Sequence, residues 1–250
     1  MIEVDHYSFA LEKREILRDL TFSIAAGERV SLIGPNGAGK TTLLKCLQRI
    51  LRGGRGTIRV AGAPLDSYRQ FELAKRVAYV PQSEGRMAPY TVRELVEMAR
   101  YPHLGPLAPM RSADEAAIDR ALEETGMVAL SDRSLTALSG GERQKALLAA
   151  ALAQETDILL LDEPTSFLDP AQQADLLEVL GRVRRTILSV THDLNEALAH
   201  STRVLALREG ALVFDGPSAA LAEGDTLKRI YRHPFAVGTH PRTGRPVLFP

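Results

Sequence analysis

Cysteine is almost missing from this chain of 250 residues: the one thiol, Cys46, closes no internal disulfide, so nothing covalent staples the fold. Charge of one sign is missing too. Lysine plus arginine numbers 31 and aspartate plus glutamate 31. That balance excludes a global field drawing the chain to nucleic acid or to an anionic membrane, though it leaves local basic patches open. No uninterrupted apolar stretch reaches the roughly 18 to 20 residues that a membrane-spanning helix needs. The opening Met1-Ile2-Glu3-Val4-Asp5 lacks the basic and apolar regions of a signal peptide, and the expectation is a chain that stays in the cytoplasm. Internal repeats and low-complexity tracts are also absent. What remains is the composition of an ordinary soluble protein, long enough for one large domain or two small ones.

Ile2-Glu3-Val4 and Leu20 to Ile24 alternate apolar and polar residues, and Gly27 turns the chain into Arg29-Val30-Ser31-Leu32-Ile33; these segments read as strands. The last of them runs straight into Gly34-Pro35-Asn36-Gly37-Ala38-Gly39-Lys40-Thr41. From Lys40 to Leu51 the leucines at 43, 44 and 47 keep the spacing of a buried helical face, with Cys46 in the same apolar register as a small core residue. Gly56 to Val60, turned by Gly62, predicts another antiparallel strand, and Val77 to Val80 a return to a buried core. Between Ser83 and Leu138 the pattern changes to helical segments broken by Pro89, Pro102, Pro106 and Pro109. Thr91-Val92-Arg93-Glu94 and Ser112-Ala113-Asp114-Glu115 carry the capping-box pattern that starts helices, which predicts an inserted helical subdomain. After it Ile158 to Leu161, Ile187 to Val190 and Val204 to Leu207 alternate with helical runs, as in a parallel sheet with helices on its faces. The expected division is a core of residues 1–82 and 146–231, a helical subdomain 83–145, and a tail 232–250 whose basic, glycine- and proline-rich make-up reads as a surface extension.

The segment from Gly34 to Thr41 fits the phosphate-loop pattern at every fixed position and lies correctly between strand and helix. Glycines let successive N–H groups turn inward and the helix adds its partial positive charge, so phosphate oxygens are held by backbone donors. Lys40 then reaches the β and γ phosphates of a nucleotide, and Thr41, followed by Thr42, offers a hydroxyl to Mg2+. Ile158 to Glu163 is a buried strand ending in two carboxylates, at the end of a parallel sheet where ligands gather. Asp162 suits an acceptor toward Mg2+ or its water. Glu163 suits orienting and deprotonating a water that attacks the γ phosphate, with Pro164 biasing it toward an extended backbone. Ser139-Gly140-Gly141-Glu142 is itself a capping box, opening an apolar helix from about Glu142 to Ala153; local chemistry alone leaves it open whether this is a plain cap or an anion site.

Leu138-Ser139-Gly140-Gly141-Glu142-Arg143-Gln144, taken with the phosphate loop, resembles the signature of ATP-binding cassette (ABC) proteins, and the resemblance covers nearly the whole chain. It implies an α/β fold: a P-loop NTPase core with a mostly parallel sheet, an N-terminal antiparallel β subdomain and an inserted helical subdomain. It implies an ATPase with ATP and Mg2+ as cofactors. In that family the residues matching Ser139, Gly140 and Gly141 face the γ phosphate held by a partner chain. Gln82 resembles the glutamine that touches Mg2+ and the catalytic water, and His192 the switch histidine on the γ phosphate. Ser166-Phe167-Leu168-Asp169 resembles the loop that crosses the dimer interface, with Phe167 where a small residue is usual. A second departure falls at Leu11, where the family places an aromatic residue on the adenine; Tyr7 and Phe9 read as strand core instead.

Arg100-Tyr101-Pro102-His103 and Thr243-Gly244-Arg245-Pro246 are foreign to ATP chemistry. They resemble segments of the ATPase subunits that serve importers of iron-siderophore, haem, cobalamin and, in some members, molybdate. The partners implied are a second copy of the chain, transmembrane permease subunits and, indirectly, a substrate-binding protein, with no nucleic acid; the place implied is the cytoplasmic face of the membrane, peripherally. Two alternatives stand beside this reading. An ABC ATPase outside transport would be marked by tandem cassettes, a long coiled coil or zinc cysteines, and a non-enzymatic cassette by loss of Gln82, Glu163 or His192; neither mark is in the sequence.

Overall fold

The alternation that marks the N-terminal strand changes parity at His6, where a left-handed φ of 46° makes a bulge; Ile2 and Val4 are buried before it, Tyr7 and Phe9 after it. The computed structural model describes residues 1–82, 88–104 and 108–249, so Ser83 and Pro106 of the expected helical segment lie outside the described residues. In chain order the first elements are β1 (Ile2–Leu11), β2 (Arg14–Ile24), β3 (Arg29–Ile33), α1 (Lys40–Leu47), β4 (Arg55–Val60), β5 (Ala63–Pro64), α2 (Gln70–Ala74), β6 (Val77–Val80) and α3 (Val92–Met98). There follow α4 (Ser112–Glu124), α5 (Gly140–Ala153), β7 (Ile158–Asp162), α6 (Pro170–Arg182), β8 (Thr186–Val190), α7 (Leu194–His200), β9 (Arg203–Arg208), β10 (Ala211–Pro217), α8 (Thr226–Tyr231), β11 (Ala236–Thr239) and β12 (Pro246–Phe249).

One compact unit comprises Met1–Ser67 with Thr186–Pro250. It contains an antiparallel sheet in the order β2-β1-β4-β5 and, beside β3, the parallel neighbours β8 and β9, with β10 antiparallel on β9. Val30 to Leu32 and Leu188 to Val190 pair in register, so β3 and β8 end at the same edge. The phosphate loop leaves β3 there and the Thr191-His192-Asp193 segment leaves β8. Helix α1 stops at Leu47 rather than Leu51 because Arg49 is left-handed, at φ 56°. On its inner face Cys46 is 1% exposed, and burial pushes its thiol up to about 11.

The other unit is Tyr68–Arg185. Here β6 and β7 pair in parallel, Val80 opposite Leu161, and every residue of β7 is buried, the continuous apolar run that a parallel strand covered on both faces requires. Helices α3, α4 and α5 pack on one another, and Val92, Val96, Ile118, Ala121, Ala146 and Leu148 on them are buried. Thr91 caps α3 as its box predicts, its hydroxyl accepting the Glu94 N–H at 3.1 Å. In α4 the box is displaced by one residue: Ser112 is already helical, and Asp114 rather than Glu115 takes the returning bond, from the Arg111 N–H at 3.1 Å. The Arg100 guanidinium takes the other Asp114 oxygen.

Candidate functional site

In the first unit the phosphate loop is closed by contacts that only glycine allows. At Gly34, φ 141°, an added Cβ would stand 2.0 Å from the Leu207 carbonyl oxygen, and Gly39 enters α1 as its left-handed N-cap, φ 102°. Lys40 is 6% exposed and its Nζ donates to the carbonyl oxygens of Gly34 at 2.7 Å and Pro35 at 3.1 Å. Its ammonium therefore lies within the loop it belongs to. Thr41 and Thr42 follow in the first turn of α1, half-buried, while Asn36 and Gly37 are exposed at the tip and Ala38 is buried. Tyr231, which sequence reasoning passed over, accepts the Gly34 N–H at 3.2 Å, and burial pushes its phenol up to about 12. No local pattern at Tyr231 signals that bond, because it comes from the end of α8.

His192 stands exposed at the edge where β8 ends. The turn that carries it is bonded on both sides: the buried Thr191 donates its N–H to the Leu32 carbonyl at 3.3 Å and accepts the Asp193 N–H at 3.1 Å, and Asp193 caps α7 through the N–H groups of Asn195 and Glu196. Leu11 is 51% exposed at the tip of the β1–β2 hairpin, whereas Tyr7 and Phe9 are buried. Tyr7 is further tied by its hydroxyl to the Gly53 carbonyl at 2.7 Å, so neither ring is available to stack on a base.

The second unit holds the acidic pair. Because β6 and β7 run parallel, the residues just past their ends are neighbours, and the Gln82 amide donates to Glu163 Oε2 at 2.9 Å. Ser166 donates to the same oxygen at 3.0 Å, and Tyr79 donates to Asp162 Oδ2 at 3.1 Å. Burial, then the Asp162 charge, pushes the Tyr79 phenol up, which keeps it a donor. Asp162 itself is 3% exposed. Ser166 and Tyr79 were legible only as loop and strand residues; their hydroxyls acquire meaning from the carboxylates they face.

The backbone at Glu163 corrects the sequence expectation. It is not extended but left-handed, φ 50°, because the chain leaves β7 in a tight turn whose Ser166 N–H returns to the Glu163 carbonyl at 3.1 Å. That closure outweighs the local bias of Pro164. The same turn leaves Phe167 at φ 64° and 80% exposed, with Asp169 capping α6.

Ser139 caps α5, its hydroxyl accepting the Glu142 N–H at 3.3 Å while Glu142 accepts the Ser139 N–H at 2.8 Å. Those bonds hold the Glu142 carboxyl below the usual range. Gly140 is exposed, and Gly141 is buried where an added Cβ would meet the Gln172 side chain at 2.6 Å. The Arg100 segment proves to be a clamp. Arg100, 4% exposed, donates to Asp114 at 2.8 Å, to the Ala153 carbonyl at 2.6 Å and to Glu155 at 2.8 Å, and His103 meets the Gln154 carbonyl at 2.8 Å. It ties the C-terminal end of α5 to α4.

Among the described residues no three or more His, Cys, Asp or Glu side chains gather to hold a metal. Thr41 offers a hydroxyl in the first unit and Asp162 a carboxylate in the second, each of the hard oxygen type that Mg2+ takes.

Residues 17–166 match the sequence family described as ABC transporter. The iron(3+)-hydroxamate import ATP-binding protein FhuC of Bacillus subtilis is 41% identical over 238 residues, 94% of this chain and 88% of that protein. The ferric enterobactin transport ATP-binding protein FepC of Escherichia coli is 38% identical over 242 residues, 95% of this chain and 89% of that protein. A solved structure described as an inward-facing conformation of a metal-chelate type ABC transporter matches with a TM-score of 0.84 at 27% identity, covering 99% of this chain and 95% of that chain.

Proposed function

The chain belongs to the ABC transporter family, and from that membership we propose that it is the ATP-hydrolysing subunit of an importer for a metal chelate: a ferric siderophore, haem, cobalamin or a related oxyanion. The hydrolytic half of this reading rests on one observation above all, the Gln82 amide on the Glu163 carboxylate at 2.9 Å beside Asp162. The transport half rests on the relatives, which match over nearly their whole length.

In this reading the loop N–H groups that follow Pro35 and the start of α1 take the phosphates of ATP, and Lys40 exchanges loop carbonyls for the β and γ phosphates. Mg2+, held by Thr41 and Asp162 with Gln82 near its water, would neutralise charge on the phosphate oxygens. Glu163 orients the attacking water and takes its proton as the new P–O bond forms at the γ phosphorus and the bond to the bridging oxygen breaks, leaving ADP and phosphate. His192 meets the γ phosphate. A second copy supplies Ser139, Gly140 and Gly141 to the same phosphate, so ATP closes the pair and its hydrolysis reopens it. No described helix is long and apolar enough to cross a membrane. In this reading the chain works peripherally, at the cytoplasmic face, bound to permease subunits through the helical subdomain around Gln82, and a substrate-binding protein delivers the cargo.

Glu163→Gln keeps the side-chain shape and removes its basicity. The expected result is retained ATP binding, turnover lowered by roughly 10²- to 10⁴-fold and a dimer trapped in ATP; near-normal turnover overturns the assigned base. For the transport half, deletion of the chain should abolish uptake of one metal chelate and leave the outer binding step intact. Copurification with an exporter permease, or with soluble proteins alone, overturns import and leaves the ATPase standing.

A further inference from the structure

The Thr243-Gly244-Arg245-Pro246 segment plays no part in the chemistry above, yet it is built with care. It forms the turn between β11 and β12. The His240 N–H donates to the Arg245 carbonyl at 2.8 Å, the Gly244 N–H to the His240 carbonyl at 2.9 Å, and the N–H groups of Arg242 and Thr243 both donate to His240 Nδ1 at 3.2 Å. Most of the tail lies exposed, and these bonds close its turn. The turn sends β12 back so that Leu248, 3% exposed, enters the cluster of Ile33, Ala197 and Ile230.

There Asn195 meets it from α7. Its Nδ2 donates to the Leu248 carbonyl at 3.1 Å, and its Oδ1 accepts the Leu248 N–H at 2.8 Å. A carboxamide carries one donor and one acceptor side by side, as a strand backbone does, so Asn195 takes the place of a neighbouring strand for β12. Apolar burial of Leu248 alone would hold the hairpin against the core in any of several directions. Two opposed hydrogen bonds fix one. Asn195 is the second residue of α7, two residues after Asp193 caps that helix and three after His192.

We propose that Asn195 is a positioning residue for ATP hydrolysis: bonded to Leu248, it anchors the first turn of α7 to the C-terminal hairpin and thereby sets where His192 stands. The inference rests on the reading of His192 as the γ-phosphate contact. The hairpin is then a brace built onto the back of the switch, and the Thr243 to Pro246 turn is what gives the brace its reach.

A mutant cycle on the complete chain tests it, with steady-state ATP hydrolysis as the readout. Asn195→Ala should lower kcat about fivefold or more with KM for ATP within about twofold, and in a His192→Ala background it should cost nothing further, because the residue it positions is gone. Asn195→Asp keeps the acceptor for the Leu248 N–H and should fall between wild type and Asn195→Ala; it carries the same cycle should the alanine variant not fold. An undiminished kcat in Asn195→Ala, or losses that multiply in the double variant, overturns the brace while leaving His192 in place. If His192→Ala alone turns over normally, the reading of His192 fails and takes the brace with it.

Discussion

At the scale of single residues, Leu11 decides what the site can read. With its side chain 51% exposed at the hairpin tip and Tyr7 and Phe9 locked in the core, no aromatic face from β1 is offered to a base. In the proposed site phosphate contacts would carry the affinity instead, and these are the same for every nucleoside triphosphate. ATP and GTP should therefore be hydrolysed with kcat/KM values within about tenfold of one another, a difference of about 1.4 kcal/mol. A larger preference for ATP in steady-state assays would mean that another side chain reads adenine. Much at this scale was open to inspection of the sequence, since the residues from Gly34 to Thr41 announce their conformation through glycine spacing. Glu163 did not. Its left-handed backbone is imposed by a turn closing three residues later, which a local preference before proline cannot foresee.

Among the elements, the clamp at Arg100 gives α5 a fixed far end. Arg100 and Asp114 are both buried and lie 2.8 Å apart, and the guanidinium holds the Asp114 carboxyl below the usual range. A carboxyl lowered on folding contributes stability that is full above its unfolded pKa and is lost as pH falls through its folded one. Asp114→Asn should cost about 3 kcal/mol at neutral pH, as expected when one partner of a buried pair is removed. In urea unfolding of the two proteins, the gap should shrink on acidification through the carboxylate range, where protonated Asp114 comes to resemble Asn. A gap that stays constant down to strongly acid pH would show that the pair does not hold the helices. The strands of the core were legible because each pattern is local: alternation in β1 and β2, an unbroken apolar run in β7. The hairpin β11–β12 was not, for its short strands owe their place to Asn195 and a distant cluster rather than to any periodicity of their own.

For the molecule as a whole, the fold class was readable because phosphate loop and signature each sit between the right elements, while the way copies pair belongs to no single chain. If each ATP lies between Lys40 of one copy and Ser139 of the other, a Lys40→Ala chain and a Ser139→Arg chain, each inactive, should together regain one intact site per mixed dimer. Crosslinking in Mg-ATP should join the two different chains through that site; a crosslink between the Lys40 and Ser139 regions of the same chain would exclude the arrangement. Such work is eased by the helix behind the phosphate loop. Cys46 is sealed at 1% exposure with its thiol pushed up to about 11, so at neutral pH it is neither reachable nor present as thiolate. Maleimide dyes and spin labels should therefore leave the native chain unlabelled, and probes on introduced surface cysteines should report whether two copies approach and part with ATP.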